Sequence, residues 1–164
     1  LGTDVLYSGT VAAAREAYTR GVDGIALSLV KGKDYSLAAS VARELAARVI
    51  RYNGAPMLLN VNVPGPEARG LRVARLGRKH YPENLVVDRE DGEKTFYRLS
   101  SVGEVRDALI PGTDGEALRD GFVSVTPLQI DTTSEQHFGA TSVLMNGAWA
   151  KSVGDGPSDG DQPS

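Results

Sequence analysis

Two apolar stretches of strand length, Gly24–Val30 (GIALSLV) and Met57–Val63 (MLLNVNV), bracket an amphipathic stretch that runs from Ser36 to about Tyr52. No other feature restricts the fold as much. Within the middle stretch Leu37, Val41, Leu45 and Val49 recur every four residues with Ala38, Ala42 and Ala46 beside them. Arg43, Glu44, Arg48 and Arg51 fall off that stripe. The spacing predicts a helix with one apolar face, stopped by Asn53-Gly54 and Pro56. An Ala-rich helix is predicted ahead of the first strand, from about Gly9 to Thr19, after a loop over residues 1–8. Ser8 or Thr10 would cap it and Gly21 would end it; neither cap has Glu or Gln three positions on, so there is no capping box. Helix, buried strand, helix, buried strand is the rhythm of a parallel sheet covered by helices on both faces. Such a unit normally begins on a strand, and the first helix has none before it, so the front of the domain is expected upstream of Leu1.

After Pro64-Gly65-Pro66 the character changes. LRVARLG, NLVVDRE and KTFYRLS read as short antiparallel strands, with hairpin-turn chemistry at Asp91-Gly92. Residues 66–111 are therefore expected to project from the core as an antiparallel excursion. Gly112-Thr113-Asp114 opens a short helix, Gly115–Asp120, and Phe122–Thr126 reads as a strand returning to the core. One α/β domain over residues 1–131 follows, then a C-terminal extension over 132–153. Residues 134–150 of that stretch are compatible with a helix that Gly139 and Gly147 weaken. The tail 154–164 has no apolar side chain beyond its prolines and is expected to be disordered.

Composition narrows the function classes. A length of 164 residues suits one domain. A net charge of −3 lacks the broad basic footprint that duplex nucleic acid requires. No apolar run approaches the length needed to span a bilayer, and the N-terminus has no signal-peptide pattern, so no membrane partner is expected. The absence of cysteine rules out disulfides and thiolate metal sites and suits a cytoplasmic protein. A single phosphate group can still be held locally by backbone N–H groups.

The segment Gly2-Thr3-Asp4-Val5-Leu6-Tyr7-Ser8-Gly9-Thr10-Val11 has that potential. It is a glycine- and hydroxyl-rich loop entering a helix N-terminus, where unpaired N–H groups and the helix dipole favour an anion. The alternative is that Ser8 only caps the helix and Gly9 only permits the turn. Asn60 and Asn62 stand towards the end of a strand, where α/β sheets place ligands; equally, such amides often satisfy local backbone. Asp4 and Asp114 are carboxylates suited to Mg²⁺, but nothing in their spacing brings them together, and an Asp at a helix start usually caps it. His80, beside Arg78-Lys79, and His137 read as exposed or interface residues. No Ser–His–Asp spacing supports a side-chain nucleophile.

The string GTDVLYSGTVAAAREA resembles the motif N-x-G-x-D-V-x-Y-S-G-T-V-A-A-A-R-E of the SurE family. The likeness continues, in family order, through Ile25–Leu29, Leu59–Pro64, Arg75–Tyr81, Gly112–Asp114 and Gly121–Leu128. The resemblance implies an α/β, Rossmann-like three-layer sandwich, here in part, with an antiparallel β-hairpin excursion and a C-terminal oligomerisation segment. It implies a phosphomonoesterase acting on nucleoside 5′- or 3′-monophosphates with a divalent metal, Mg²⁺ or Mn²⁺; some members also take short polyphosphate. The family's metal ligands, an adjacent Asp pair, a Ser and an Asn, would lie upstream of Leu1, so this stretch is expected to be inactive alone. Ser8, Gly9, Thr10, Asn60 and Asn62 are the expected substrate and phosphate contacts. A homodimer or homotetramer is implied, with Leu85, Val86, Val87, Phe96 and Tyr97 partly buried against another subunit, or else packed on their own domain. The second functional reading is a non-catalytic anion-binding or oligomerisation module.

Overall fold

The computed structural model describes residues 1–101, 106–108 and 110–145. A short 3-10 turn over Gly2–Leu6 replaces the loop expected there. It leads into α1 (Gly9–Thr19), β1 (Gly24–Leu29), α2 (Ser36–Tyr52) and β2 (Leu58–Val63). Then come β3 (Leu71–Val73), β4 (Arg78–His80), β5 (Glu83–Asp91), β6 (Lys94–Ser101) and β7 (Arg106–Ala108). The helix α3 (Asp114–Arg119) and the strand β8 (Val123–Pro127) complete a compact unit, Leu1–Gln129. A second unit begins at Ile130 and holds a 3-10 turn, Glu135–His137, and α4 (Phe138–Met145). The remainder of the stretch read as a helix, 146–150, and the tail 154–164 lie outside the described residues.

The main sheet has the order β1-β2-β8-β3. β1 and β2 are parallel, Ala26 facing Asn60 and Ser28 facing Asn62. β8 runs antiparallel to β2, and β3 runs parallel to β8. The sheet is thus mixed where the helix–strand rhythm predicted a parallel one. A parallel return needs a long crossover, usually a helix: α2 lies between the parallel pair β1 and β2, and the ribbon and α3 lie between the parallel pair β3 and β8. The short β2–β3 connection holds no helix, and there the strand direction reverses.

Side chains alternate between the two faces of the sheet. Leu59, Val61 and Val63 of β2 join Val123 and Val125 of β8 under Ala38, Val41 and Leu45 of α2. Ile25, Leu27 and Leu29 of β1 pack on the same cluster. Ala26 and Leu58 turn the other way, against Val5, Val11 and Ala14. The helices α1 and α2 therefore cover opposite faces, giving the expected three-layer, Rossmann-like α/β arrangement. Each buried Val or Leu contributes about 1.5–3 kcal/mol to holding these layers together. The stop of α2 is Asn53, left-handed at φ 49° and ψ 32°, as a helix-ending Asn requires.

β5 and β6 form a ribbon joined through Gly92-Glu93, with Asp91 facing Lys94. Gly92 has φ +60°, so the turn is centred one residue later than the Asp91-Gly92 expected. Leu85 faces Leu99 and Val87 faces Tyr97, placing these four on one face, and all four are exposed. Val86 lies on the other face beside Arg98. The ribbon therefore does not bury that face against the described part of its own domain.

Candidate functional site

The N-terminal turn is fastened by one fully buried carboxylate. Gly2 N–H donates to Asp114 Oδ2 at 2.6 Å, and Gly77 N–H donates to Asp114 Oδ1 at 2.8 Å. Gly115 N–H adds a third bond to Oδ1 at 3.0 Å. Asp114 is 0% exposed. Gly2 has φ +54°, and a Cβ there would stand 2.9 Å from the Gly77 carbonyl oxygen, so the close approach needs glycine. Asp114 is therefore more than the helix cap its position suggested: it ties the chain's first residues to the β3–β4 connection and to α3.

Asp4 is also no cap. Its Oδ2 meets Lys79 Nζ at 2.9 Å and its Oδ1 accepts from Tyr81 Oη at 2.6 Å. Partial burial pushes the Asp4 carboxyl up, but the hydrogen bonds from Tyr81 and Lys79 and the Lys79 charge outweigh it and hold it below its ordinary value. The same hydrogen bond, aided by burial, raises the Tyr81 phenol above its ordinary value. This cluster joins the turn to β4 and the residue that follows it.

Ser8 is the N-cap of α1, extended at φ −79° and ψ 119°, and its Oγ accepts from Val11 N–H at 3.2 Å. The first intrahelical bond runs from Ala12 N–H to the Ser8 carbonyl. Gly9 and Thr10 thus keep N–H groups with no intrahelical partner. Gly9 and Thr10 are both exposed, and a Cβ on Gly9 would meet nothing within 4 Å. The tight Arg20–Asp23 connection sets the end of α1 beside the start of β1, and Ala14 lies against Gly24. The N-terminus of α1 accordingly points towards the ends of β1 and β2.

A cleft of about 470 Å³ opens beside Ser8, lined also by Thr3, Asp4, Tyr7, Tyr81 and Glu83. On the other side of the chain's start, a cleft of about 360 Å³ lies beyond the ends of β1 and β2. It is lined by Leu1, Val30, Lys31, Pro64 and Arg119, among others.

Asn60 and Asn62 do not line the Ser8 cleft. They sit within β2, 3% and 2% exposed, on the face turned towards α1. Asn62 Nδ2 donates to Ser124 Oγ across the sheet at 3.2 Å, not to local backbone. On the next rung Asn60 Nδ2 and Thr126 Oγ1 are buried with no hydrogen-bond partner among the described residues. The five candidate residues thus form two groups, an exposed helix start and a buried polar ladder.

No metal set emerges among the described residues: no cluster of three or more His, Cys, Asp or Glu side chains is present there. Asp4 and Asp114, the two carboxylates suited to Mg²⁺, serve separate sets of donors. Both oxygens of Asp4 and of Asp114 already accept hydrogen bonds. His137, in the second unit, has Nδ1 2.6 Å from Ser134 Oγ, a local contact. The backbone of His80 pairs with Arg106; its side chain lies outside the described residues. No helix among the described residues is long and apolar enough to cross a membrane.

The sequence signal missed most completely was the Asp114 tie. A glycine with a left-handed backbone near residue 2, a glycine at 77 and an acid at 114 share no local pattern, and only the fold joins them.

The family model described as "Survival protein SurE" matches residues 1–83. A protein named 5′-nucleotidase SurE from Vibrio campbellii is 46% identical over 140 residues, covering 83% of this chain and 54% of that protein. One of the same name from Sorangium cellulosum is 40% identical over 163 residues, covering 96% of this chain and 60% of that protein. The chain thus spans little more than half the length of these relatives. Among solved structures, the SurE protein from Aquifex aeolicus matches with a TM-score of 0.68 at 31% identity, covering 88% of this chain and 60% of that one. These matches show that the chain belongs to the SurE survival protein family.

Proposed function

We propose that the full-length protein is a metal-dependent phosphomonoesterase that hydrolyses nucleoside 5′- and 3′-monophosphates. The observation that supports this best is the open N-terminus of α1, where the Gly9 and Thr10 amides stand unpaired beside the Ser8 hydroxyl. Fixed donors of that kind hold phosphoryl oxygens and stabilise charge as it develops on them. Ser8 keeps its cap bond through a lone pair of Oγ, which leaves its O–H proton for a phosphate oxygen. Asp114 and the Asp4–Lys79–Tyr81 cluster set the turn before this helix from two sides. This reading keeps Asn60 and Asn62 on the substrate side, on the β2 face turned towards α1.

A divalent ion, Mg²⁺ or Mn²⁺, would supply polarisation of the phosphoryl group and an activated water; its ligands would come from outside the described residues. Residues 1–164 alone are accordingly expected to release phosphate slowly or not at all. The reading includes a homodimer or homotetramer in the cytoplasm, supported by the uncovered face of Leu85, Val87, Tyr97 and Leu99. A two-stranded ribbon gains stability when such a face is covered.

The uncovered face of Leu85, Val87, Tyr97 and Leu99 also suits a second reading, a non-catalytic anion-binding or oligomerisation module. Phosphate release from AMP and GMP by the full-length protein, with Mn²⁺ and after chelation, separates the two. Metal-dependent release is expected; no release from any nucleotide refutes the enzymatic reading.

A further inference from the structure

We infer that the cleft between Tyr7 and Tyr81 is the nucleobase subsite, with the base stacked on the Tyr7 ring. The inference rests on the nucleotide reading above and adds the place where the nucleoside end lies. Tyr7 directly precedes the cap residue Ser8 and is 91% exposed. A tyrosine ring left in water beside a group of free phosphate donors is a stacking platform without a partner in this chain. Its backbone is not loose, because Tyr7 N–H donates to the Asp4 carbonyl at 3.0 Å.

Tyr81, 41% exposed, belongs to the same lining. Its hydroxyl is held by Asp4 at 2.6 Å, so the ring cannot swing freely. Asp4 is itself paired with Lys79, which reduces its repulsion of an anionic ligand. Glu83 at the rim offers a carboxylate acceptor for a base amino group or a ribose hydroxyl. A cleft of about 470 Å³ falls in the range of small-molecule sites. Its lining combines the Ser8 hydroxyl with two tyrosine rings, a polar and an aromatic element as a nucleoside monophosphate requires.

The test compares AMP with ribose 5-phosphate, which share the phosphate and sugar and differ in the base. Affinities are measured on non-hydrolysable phosphonate analogues of both, for the full-length protein with Mg²⁺ present. Stacking of one base on an aromatic side chain predicts that AMP binds at least about fivefold tighter than ribose 5-phosphate. Tyr7→Ala is expected to bring that ratio to about one, and Tyr7→Phe to preserve it. Because the side chain is exposed, both variants should fold, which a thermal melt verifies. Equal affinities in the unmodified protein, or an unchanged ratio in Tyr7→Ala, would overturn the subsite while leaving the phosphatase reading intact. Failure of both ligands to bind would sink both. A changed oligomer mass in Tyr7→Ala with an unchanged ratio would mean that another copy covers the ring, and that too would overturn the subsite.

Discussion

Replacing Asp114 with Asn exchanges one carboxylate oxygen for an NH₂ group and changes almost no volume, which makes it a sharp probe of how the turn is held. The carboxylate accepts from Gly2, Gly77 and Gly115 with no water access. An asparagine oxygen can continue to serve Gly77 and Gly115, but its NH₂ group then faces the Gly2 N–H, donor against donor. One bond to a charged acceptor is lost, a contribution of about 1.5–3 kcal/mol, and a buried N–H is left unsatisfied. The expected destabilisation is about 2–4 kcal/mol, and Asp114→Ala should exceed it by losing all three bonds and adding a cavity. Urea unfolding with linear extrapolation gives the difference. Asp88→Asn serves as the control, because the Asp88–Arg98 ion pair at 3.1 Å is exposed and should contribute about 1 kcal/mol or less. Amide exchange adds a local readout, with protection at Gly2 and Gly77 falling first. A midpoint for Asp114→Asn within about 0.5 kcal/mol of the parent would refute the reasoning.

Other perturbations follow from the same geometry. Ser8→Ala should cost about 1 kcal/mol from the lost cap, whereas Ser8→Asp should keep the cap while repelling phosphate; a thermal melt and a phosphate titration read the two effects separately, and equal phosphate affinity in Ser8→Asp would contradict the assignment. Asp4 is held below its ordinary 3.8 and Tyr81 above its ordinary 10.0, so their bond adds stability between those values. It is lost as pH falls through the lowered Asp4 value or rises through the raised Tyr81 value. The melting difference between the parent and Tyr81→Phe should therefore shrink below pH 3.8, and a constant difference down to pH 2.5 would oppose this. Leu85→Asp with Leu99→Asp should lower the sedimentation mass of the full-length protein, and an unchanged mass would show that the ribbon face is not an interface. Gly2→Ala should cost about 1–2 kcal/mol for its left-handed backbone alone, with the Gly77 contact adding more; a neutral melt would contradict the close approach.

The parts of this fold legible in the sequence are those set by local periodicity. The α2 stripe of Leu37, Val41 and Leu45 and the apolar run of β2 each fix their own conformation and buried face. Strand direction was not legible for β8, because VSVTP reads the same whichever way it enters the sheet. The start of α1 is legible because Ser8, Gly9 and Thr10 are contiguous and a capping Ser before an Ala-rich run marks a helix N-terminus. Asn60 and Asn62 were visible as residue types, but their place on the α1 face depends on strand register. Asp4 and Asp114 look like caps from their sequence neighbours alone, whereas Tyr81 and Gly77, the partners that define them, stand far along the chain.

The central claim, that the start of α1 receives the phosphate of a nucleoside monophosphate, is tested most directly by amide chemical shifts. Full-length protein labelled with ¹⁵N would be titrated with a non-hydrolysable AMP analogue in the presence of Mg²⁺. The account predicts the largest downfield shifts at Gly9 and Thr10, the amides with no intrahelical partner. Unchanged Gly9 and Thr10 resonances, with the shifts gathered instead around Lys31 and Arg119, would place the phosphate in the other cleft and contradict it.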